Sequence, residues 1–136
     1  MNGNVNEPPA SDLLAIVLAA GFGRRAGGPK SRLRLADGRT FLTAVVDGVR
    51  AARPALVTIV VGPWWGTDPA DAAPEGCTVV VNPDPDRGQI TSIRTAFAEA
   101  GIGWSGALVA LVDHPAVLPE TFSAIAALHA QDPESI

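Results

Sequence analysis

The sequence predicts an α/β fold, a Rossmann-like three-layer α/β/α sandwich around a mostly parallel sheet, and three observations carry that reading. Four apolar runs, Leu13–Leu18, Val57–Val61, Thr78–Val81 and Ala107–Val112, have the length and composition of buried strands. Helical periodicity follows the first, third and fourth of them, and crossover helices make neighbouring strands parallel. Polar residues and glycines stand just past three of the runs, at Gly21, Asn82 and Asp113, where sheets of this class bind ligands.

The elements follow in order. Residues 1–11 (MNGNVNEPPAS) are polar and proline-bearing, which predicts a disordered leader ahead of one domain over 12–136. The first strand leaves through a long loop holding Gly21, Gly23, Gly27, Gly28 and Pro29. Thr40 is the predicted cap of a helix over 41–53, with Phe41, Val45, Val49 and Ala52 on one face and Leu42 and Val46 widening it. Arg50 and Arg53 suit its negative C-terminal end, and Pro54 stops it. The second strand closes at Gly62-Pro63, and a proline-bearing loop from Trp64 to Gly76 leads to the third. Ile90, Ile93, Phe97 and Ala100 define the next helical face, ended by Gly101. Pro119 opens a last helix on which Phe122, Ile125, Ala126 and His129 share a face.

A length of 136 residues fits one domain, and 47% hydrophobic against 18% charged residues allows a core. The longest nearly uncharged apolar stretch, Leu13–Gly23, is 11 residues, too short to span a bilayer. The start lacks a basic region and an apolar h-region, so the expected compartment is the cytoplasm. The single cysteine, Cys77, excludes an internal disulfide framework and a cysteine-cluster zinc site. Net charge of −4 argues against general nucleic-acid binding. Yet six of the ten basic residues (Arg24, Arg25, Lys30, Arg32, Arg34, Arg39) fall between positions 24 and 39, which suggests a compact anionic ligand.

The glycine loop has three readings. Gly21-Phe22-Gly23-Arg24-Arg25-Ala26 formally matches a dinucleotide fingerprint. That motif needs a helix opening on the loop and an acid ending the second strand, whereas Gly27-Gly28-Pro29 breaks the helix and the strand ends in Gly62-Pro63. A P-loop needs Gly directly before Lys, and Pro29 stands there. The third reading fits. Leu18-Ala19-Ala20-Gly21 with Arg25, Gly27 and Lys30 resembles the nucleotidyltransferase signature L-A-[AG]-G-x-x-x-R-[MF]-G-x-x-K. Glycines let backbone N–H groups approach phosphate oxygens, Arg25 can fork onto them, and Lys30 supplies a point charge.

The resemblance continues through Ser31–Leu42, through Asn82-Pro83-Asp84 with Gly88-Gln89-Ile90-Thr91-Ser92-Ile93-Arg94, and through Asp113-His114-Pro115, a D-x-P motif. The chain is similar to MobA-like and molybdenum-cofactor cytidylyltransferases over about residues 13–130. That resemblance implies the sheet of the nucleotide-diphospho-sugar transferases. It also implies transfer of a nucleoside monophosphate, from CTP in the first instance, to a phosphorylated acceptor such as molybdopterin, with release of pyrophosphate. Leu18, Ala19 and Ala20 would present backbone groups to base and ribose. Gly21, Gly23 and Gly27 would cradle the triphosphate, with Arg25 and Lys30 as the catalytic cations and Arg24 on phosphate or solvent. Asn82, Gly88, Gln89 and Ser92 would line the nucleoside and acceptor side, and Asp113 would hold Mg²⁺.

The chain departs from the family pattern in two ways. Ala26 replaces the usual Met or Phe, and no later strands or second metal aspartate follow the D-x-P helix. The expectation is therefore the N-terminal part of a nucleotidyltransferase domain, with a sheet edge open to self-association beside the fourth strand. A sugar-phosphate nucleotidyltransferase and a non-catalytic nucleotide-binding domain are the alternatives. No nucleic acid or membrane is expected as a partner. Taken alone, Asp113 also suits a strand-end turn; His114 reads as a neighbour of the site, His129 as a helix-face residue and Cys77 as a small hydrophobe. Trp64-Trp65 reads as an apolar cap on the sheet rather than a lid.

Overall fold

A computed structural model of the chain describes residues 12–23, 27–132 and 134; the expected leader and the roles given to Arg24, Arg25 and Ala26 lie outside the described residues. Four strands, β1 (Leu13–Ala19), β2 (Leu56–Val61), β3 (Thr78–Val81) and β4 (Gly106–Leu111), form one sheet in the order β3-β2-β1-β4. Every pairing is parallel. Helix α1 (Phe41–Val49) joins β1 to β2, α2 (Gln89–Ala100) joins β3 to β4, and α3 (Pro119–Gln131) follows. The run from β2 to β3 crosses over through an irregular loop instead of a helix.

The central strand shows why a continuous apolar run was needed. Side chains alternate across a strand, so Leu13, Ala15, Val17 and Ala19 face one core with α1 and α3. Leu14, Ile16 and Leu18 face the other with α2. All seven residues of β1 are buried. Strand β4 is different: Leu108 and Ala110 are buried, but Val109 on the opposite face is 40% exposed.

Three helix expectations need correction. The helix expected over 41–53 is α-helical to Val49, with Thr40 accepting from the Thr43 N–H at 3.1 Å, and tightens to a 3-10 turn over Arg50–Ala52. Arg53 then turns left-handed (φ 53) and ends the helical stretch ahead of Pro54. On α2 the buried stripe runs through Ser92 and Ala96, with Ile93 and Ala100 beside it, while Ile90 and Phe97 are exposed. On α3, Phe122 and Ala126 are buried but Ile125 is exposed. His129 does lie against the sheet: its ring covers Gly106, where an added Cβ would lie 2.8 Å from it. Among the described residues no helix is long and apolar enough to cross a membrane.

Candidate functional site

The chain leaves β1 toward β2 and β3 on one side, then crosses to β4 on the other. The carboxyl ends of β1 and β4 therefore flank a topological switch point, where the helices on opposite faces leave a crevice. A cavity of about 330 Å³ opens there. Leu18, Ala19, Ala20, Gly21 and Gly23 line it from the end of β1. Leu111, Val112 and Asp113 line it from β4, and Pro85, Asp86, Gly88, Gln89 and Ser92 close it from the start of α2. Lys30 completes it.

The glycine loop returns on itself to deliver that lysine. Gly23 is left-handed (φ 68) and its carbonyl accepts from the Gly28 N–H at 3.1 Å. A Cβ on Gly23 would lie 2.1 Å from the Gly28 carbonyl oxygen, so only glycine closes this turn. Gly27 (φ 79) shapes the same return without lining the cavity. Lys30 then begins a single 3-10 turn, Lys30–Arg32. Its Nζ lies 3.7 Å from Asp113 Oδ2, and His114 Nε2 lies 3.7 Å from the other Asp113 oxygen. A cation and a carboxylate from distant parts of the chain thus meet at one opening, both about half exposed.

Asn82 is brought to the site but not onto its lining. The side chain is 2% exposed; its Nδ2 donates to Thr91 Oγ1 and Ser92 Oγ, each at 2.9 Å, and its Oδ1 accepts from the Asp84 N–H at 3.0 Å. It sits behind the wall and pins the turn Asp84–Gly88 to the start of α2. Asn82 is not among the lining residues, and it holds those that are. This network also accounts for the α2 stripe, since the bond from Asn82 offsets the cost of burying the Ser92 hydroxyl.

The basic cluster divides in the same way. Arg32 pairs with Asp71, Arg34 donates to the Gly38 carbonyl at 2.7 Å, and Arg39 bonds Asp37 and Asp47. Of the cluster's described residues, Lys30 lines the cavity and these three arginines do not. Arg32, Arg34 and Arg39 thus serve loop structure. Cys77 matches its plain reading: it packs against the core, and burial pushes its thiol above the usual range.

Leu111 and Val112, which lead into Asp113 in the D-x-P segment, line the cavity, and so do Pro85 and Asp86, which motif reading did not single out. Asp86 carried no signal beyond standing between two motif segments.

Residues 15–136 match the MobA-like NTP transferase domain. The chain belongs to that family. It is 33% identical over 99 residues to a molybdenum cofactor guanylyltransferase from Rhodopseudomonas palustris (strain HaA2), a match covering 72% of this chain and 41% of the relative. Among solved structures, Rv0371c from Mycobacterium tuberculosis H37Rv superposes with a TM-score of 0.76 at 31% identity, covering 89% of this chain and 62% of that one. The same protein in complex with manganese gives 0.71 at 28% identity, covering 89% and 61%. A nucleotidyl transferase from Methanothermobacter thermautotroptrophicus gives 0.65 at 29% identity, covering 85% and 56%. The chain thus spans 41% of the curated relative and about three fifths of these solved structures.

Proposed function

We propose that this family member binds a nucleoside triphosphate in the cavity at the β1–β4 switch point and transfers its nucleoside monophosphate to a phosphorylated small molecule. The observation that carries the reading is the convergence of Ala20, Gly21, Gly23, Lys30 and Asp113 on one opening. An acceptor phosphate oxygen attacks the α-phosphorus in line, the bond to the β-phosphate oxygen breaks, and pyrophosphate leaves. The protein contributes positioning and charge, not covalent chemistry. Backbone N–H groups of Gly21 and Gly23 meet phosphate oxygens, and Lys30 offsets the charge that builds on the α-phosphate. Gly27, Arg24 and Arg25 belong to the same cradle by their place in the loop motif.

A divalent ion fits the residues present. Mg²⁺ binds through one or two carboxylates plus substrate phosphates and water, and Asp113 opens a half-exposed carboxylate into the cavity. Bound there, the ion would supply charge neutralisation at the triphosphate. The manganese complex of Rv0371c supports a divalent ion of this kind. Nucleotide binding requires the Lys30–Asp113 pair to open. An exposed pair of this sort contributes about 0–1 kcal/mol, so phosphate and metal outcompete it easily.

Gln89 and Ser92 form the nucleoside and acceptor side. CTP and molybdopterin are the first assignment for the two substrates, on the sequence of the Gly88-Gln89 segment. GTP is the second, favoured by the name of the curated relative. Thermal denaturation with CTP, GTP, ATP and UTP, each with and without Mg²⁺, tests the reading and names the base. A nucleotide at 100 times its dissociation constant stabilises by about 2.7 kcal/mol. The expected result is a Mg²⁺-dependent shift with one nucleotide, removed by Lys30→Ala and by Asp113→Ala. No shift with any nucleotide, from folded protein, overturns it.

A further inference from the structure

Three side chains that do not line the cavity link the two parts that frame it. Trp64 Nε1 donates to the Ala20 carbonyl at 3.2 Å, at the end of β1. Gly62 makes room for this: a Cβ there would lie 2.3 Å from Trp64 Nε1 and 2.7 Å from the Ala20 oxygen. The Arg32 guanidinium lies over the Trp64 ring, 5.1 Å from its centroid. Arg32 in turn donates from Nε and Nη2 to the two oxygens of Asp71, both at 2.8 Å, and from Nη2 to Thr67 Oγ1 at 3.2 Å. The Asp71 side chain is fully buried and also accepts from the Gly66 N–H at 3.0 Å.

Arg32 closes the 3-10 turn that Lys30 opens. The contacts therefore run from Ala20 through Trp64 and Arg32 to the turn carrying Lys30, with Asp71 anchoring the middle. The direct covalent route between Ala20 and Lys30 is the loop holding Gly21, Gly23, Gly27 and Gly28. Glycine loses the most conformational freedom on ordering, so a loop rich in it gains from an anchor outside it. A planar guanidinium held by two bonds to a buried carboxylate is such an anchor.

We propose that Trp64, Arg32 and Asp71 are positioning residues for the nucleotide site, a clamp that holds the Lys30 turn against the end of β1 before ligand arrives. The proposal rests on the nucleotide-binding reading above. Its consequence is that residues of the 63–76 loop, outside every motif of the family signature, set affinity for the triphosphate. Preorganisation of this kind lowers the ordering cost of binding without adding a contact to the ligand.

Two variants separate the clamp from general stability. Trp64→Phe keeps an apolar ring under Arg32 and removes the donor to Ala20. Arg32→Lys keeps the charge and removes the fork. Amide hydrogen exchange is measured on ligand-free protein at Gly28, Leu33 and Phe41, whose N–H groups bond Gly23, Lys30 and Leu33. Affinity for Mg²⁺-CTP and Mg²⁺-GTP is measured by calorimetry. Losing one hydrogen bond of the clamp should speed exchange at those amides and weaken nucleotide binding about 5–30-fold. Exchange in the middle of β1 should stay at the parent's rate.

Unchanged exchange at the three amides, or acceleration spread equally through β1, overturns the clamp. Faster exchange with unaltered affinity overturns its role in binding. If the parent binds none of CTP, GTP, ATP and UTP, the functional reading falls, and exchange in the ligand-free protein still decides whether the clamp holds the turn.

Discussion

A charge can be buried only when it is met, and Asp71 shows how completely this chain meets one. Its carboxylate has no solvent exposure, and bonds from Arg32 and from the Gly66 N–H hold it below the ordinary carboxylate range. A depressed carboxylate contributes stability above its unfolded value of about 3.9 and loses it as pH falls through the folded value. Asp71→Asn should therefore cost about 1–3 kcal/mol near neutrality, with the gap from the parent closing below about pH 4. Thermal denaturation of both proteins between acid and neutral pH checks this. Gly23→Ala is the matching test of the loop. With a Cβ 2.1 Å from the Gly28 oxygen, the return must rearrange, and the expected outcome is loss of the Mg²⁺-nucleotide shift with the far-UV circular dichroism kept. Lys30, Gly21 and Asp113 were legible in the sequence because each stands at a fixed place in a local motif. Asp71 and Trp64 were not, since Arg32 finds Asp71 39 residues away and only the fold brings them together.

At the scale of elements, the strands were read well and the helix faces less well, and the difference has a physical cause. A strand buried on both faces needs little more than a run of apolar and β-branched residues, which β1 provides unbroken and β2 with Thr58 as its one polar member. A helix face has to be inferred from spacing, and spacing assumes that apolar residues point inward. On α2 that assumption fails because Asn82 satisfies Ser92, so a hydroxyl and the small Ala96 take the buried stripe and let the helix sit close to the sheet. On α3 the periodicity held for Phe122, which packs against Gly48 of α1, where an added Cβ would lie 3.0 Å from its ring. The join between α1 and α3 thus includes one large side chain fitted to one missing one, within a core that Ala126 shares. Phe122→Ala should cost about 3–5 kcal/mol, and urea denaturation should show it as a lower midpoint with little change in slope. Because that join lies on the opposite face of the sheet from α2, the network around Asn82 should persist in the variant.

For the whole molecule, the sequence indicated a parallel sheet with its site at the strand ends, but not the strand order that makes one strand end more useful than another. Order depends on which side each crossover takes, and no local residue pattern encodes that. With β1 central, the crossing from β3 to β4 creates the crevice, and the same crossing leaves β4 at the margin. Among the described residues β4 pairs with β1 alone, and its Ala107 and Val109 face away from α3 into solvent. An edge with unpaired backbone groups beside exposed apolar side chains is a template for another strand. The chain should therefore self-associate as its concentration rises. Val109→Lys, which places a charge on the uncovered face without touching Leu108 or Ala110, should weaken that association by at least about tenfold, or ~1.4 kcal/mol. Sedimentation equilibrium over a wide concentration range measures both. A monomer at every concentration would mean that twist and the shortness of β4 already blunt the edge.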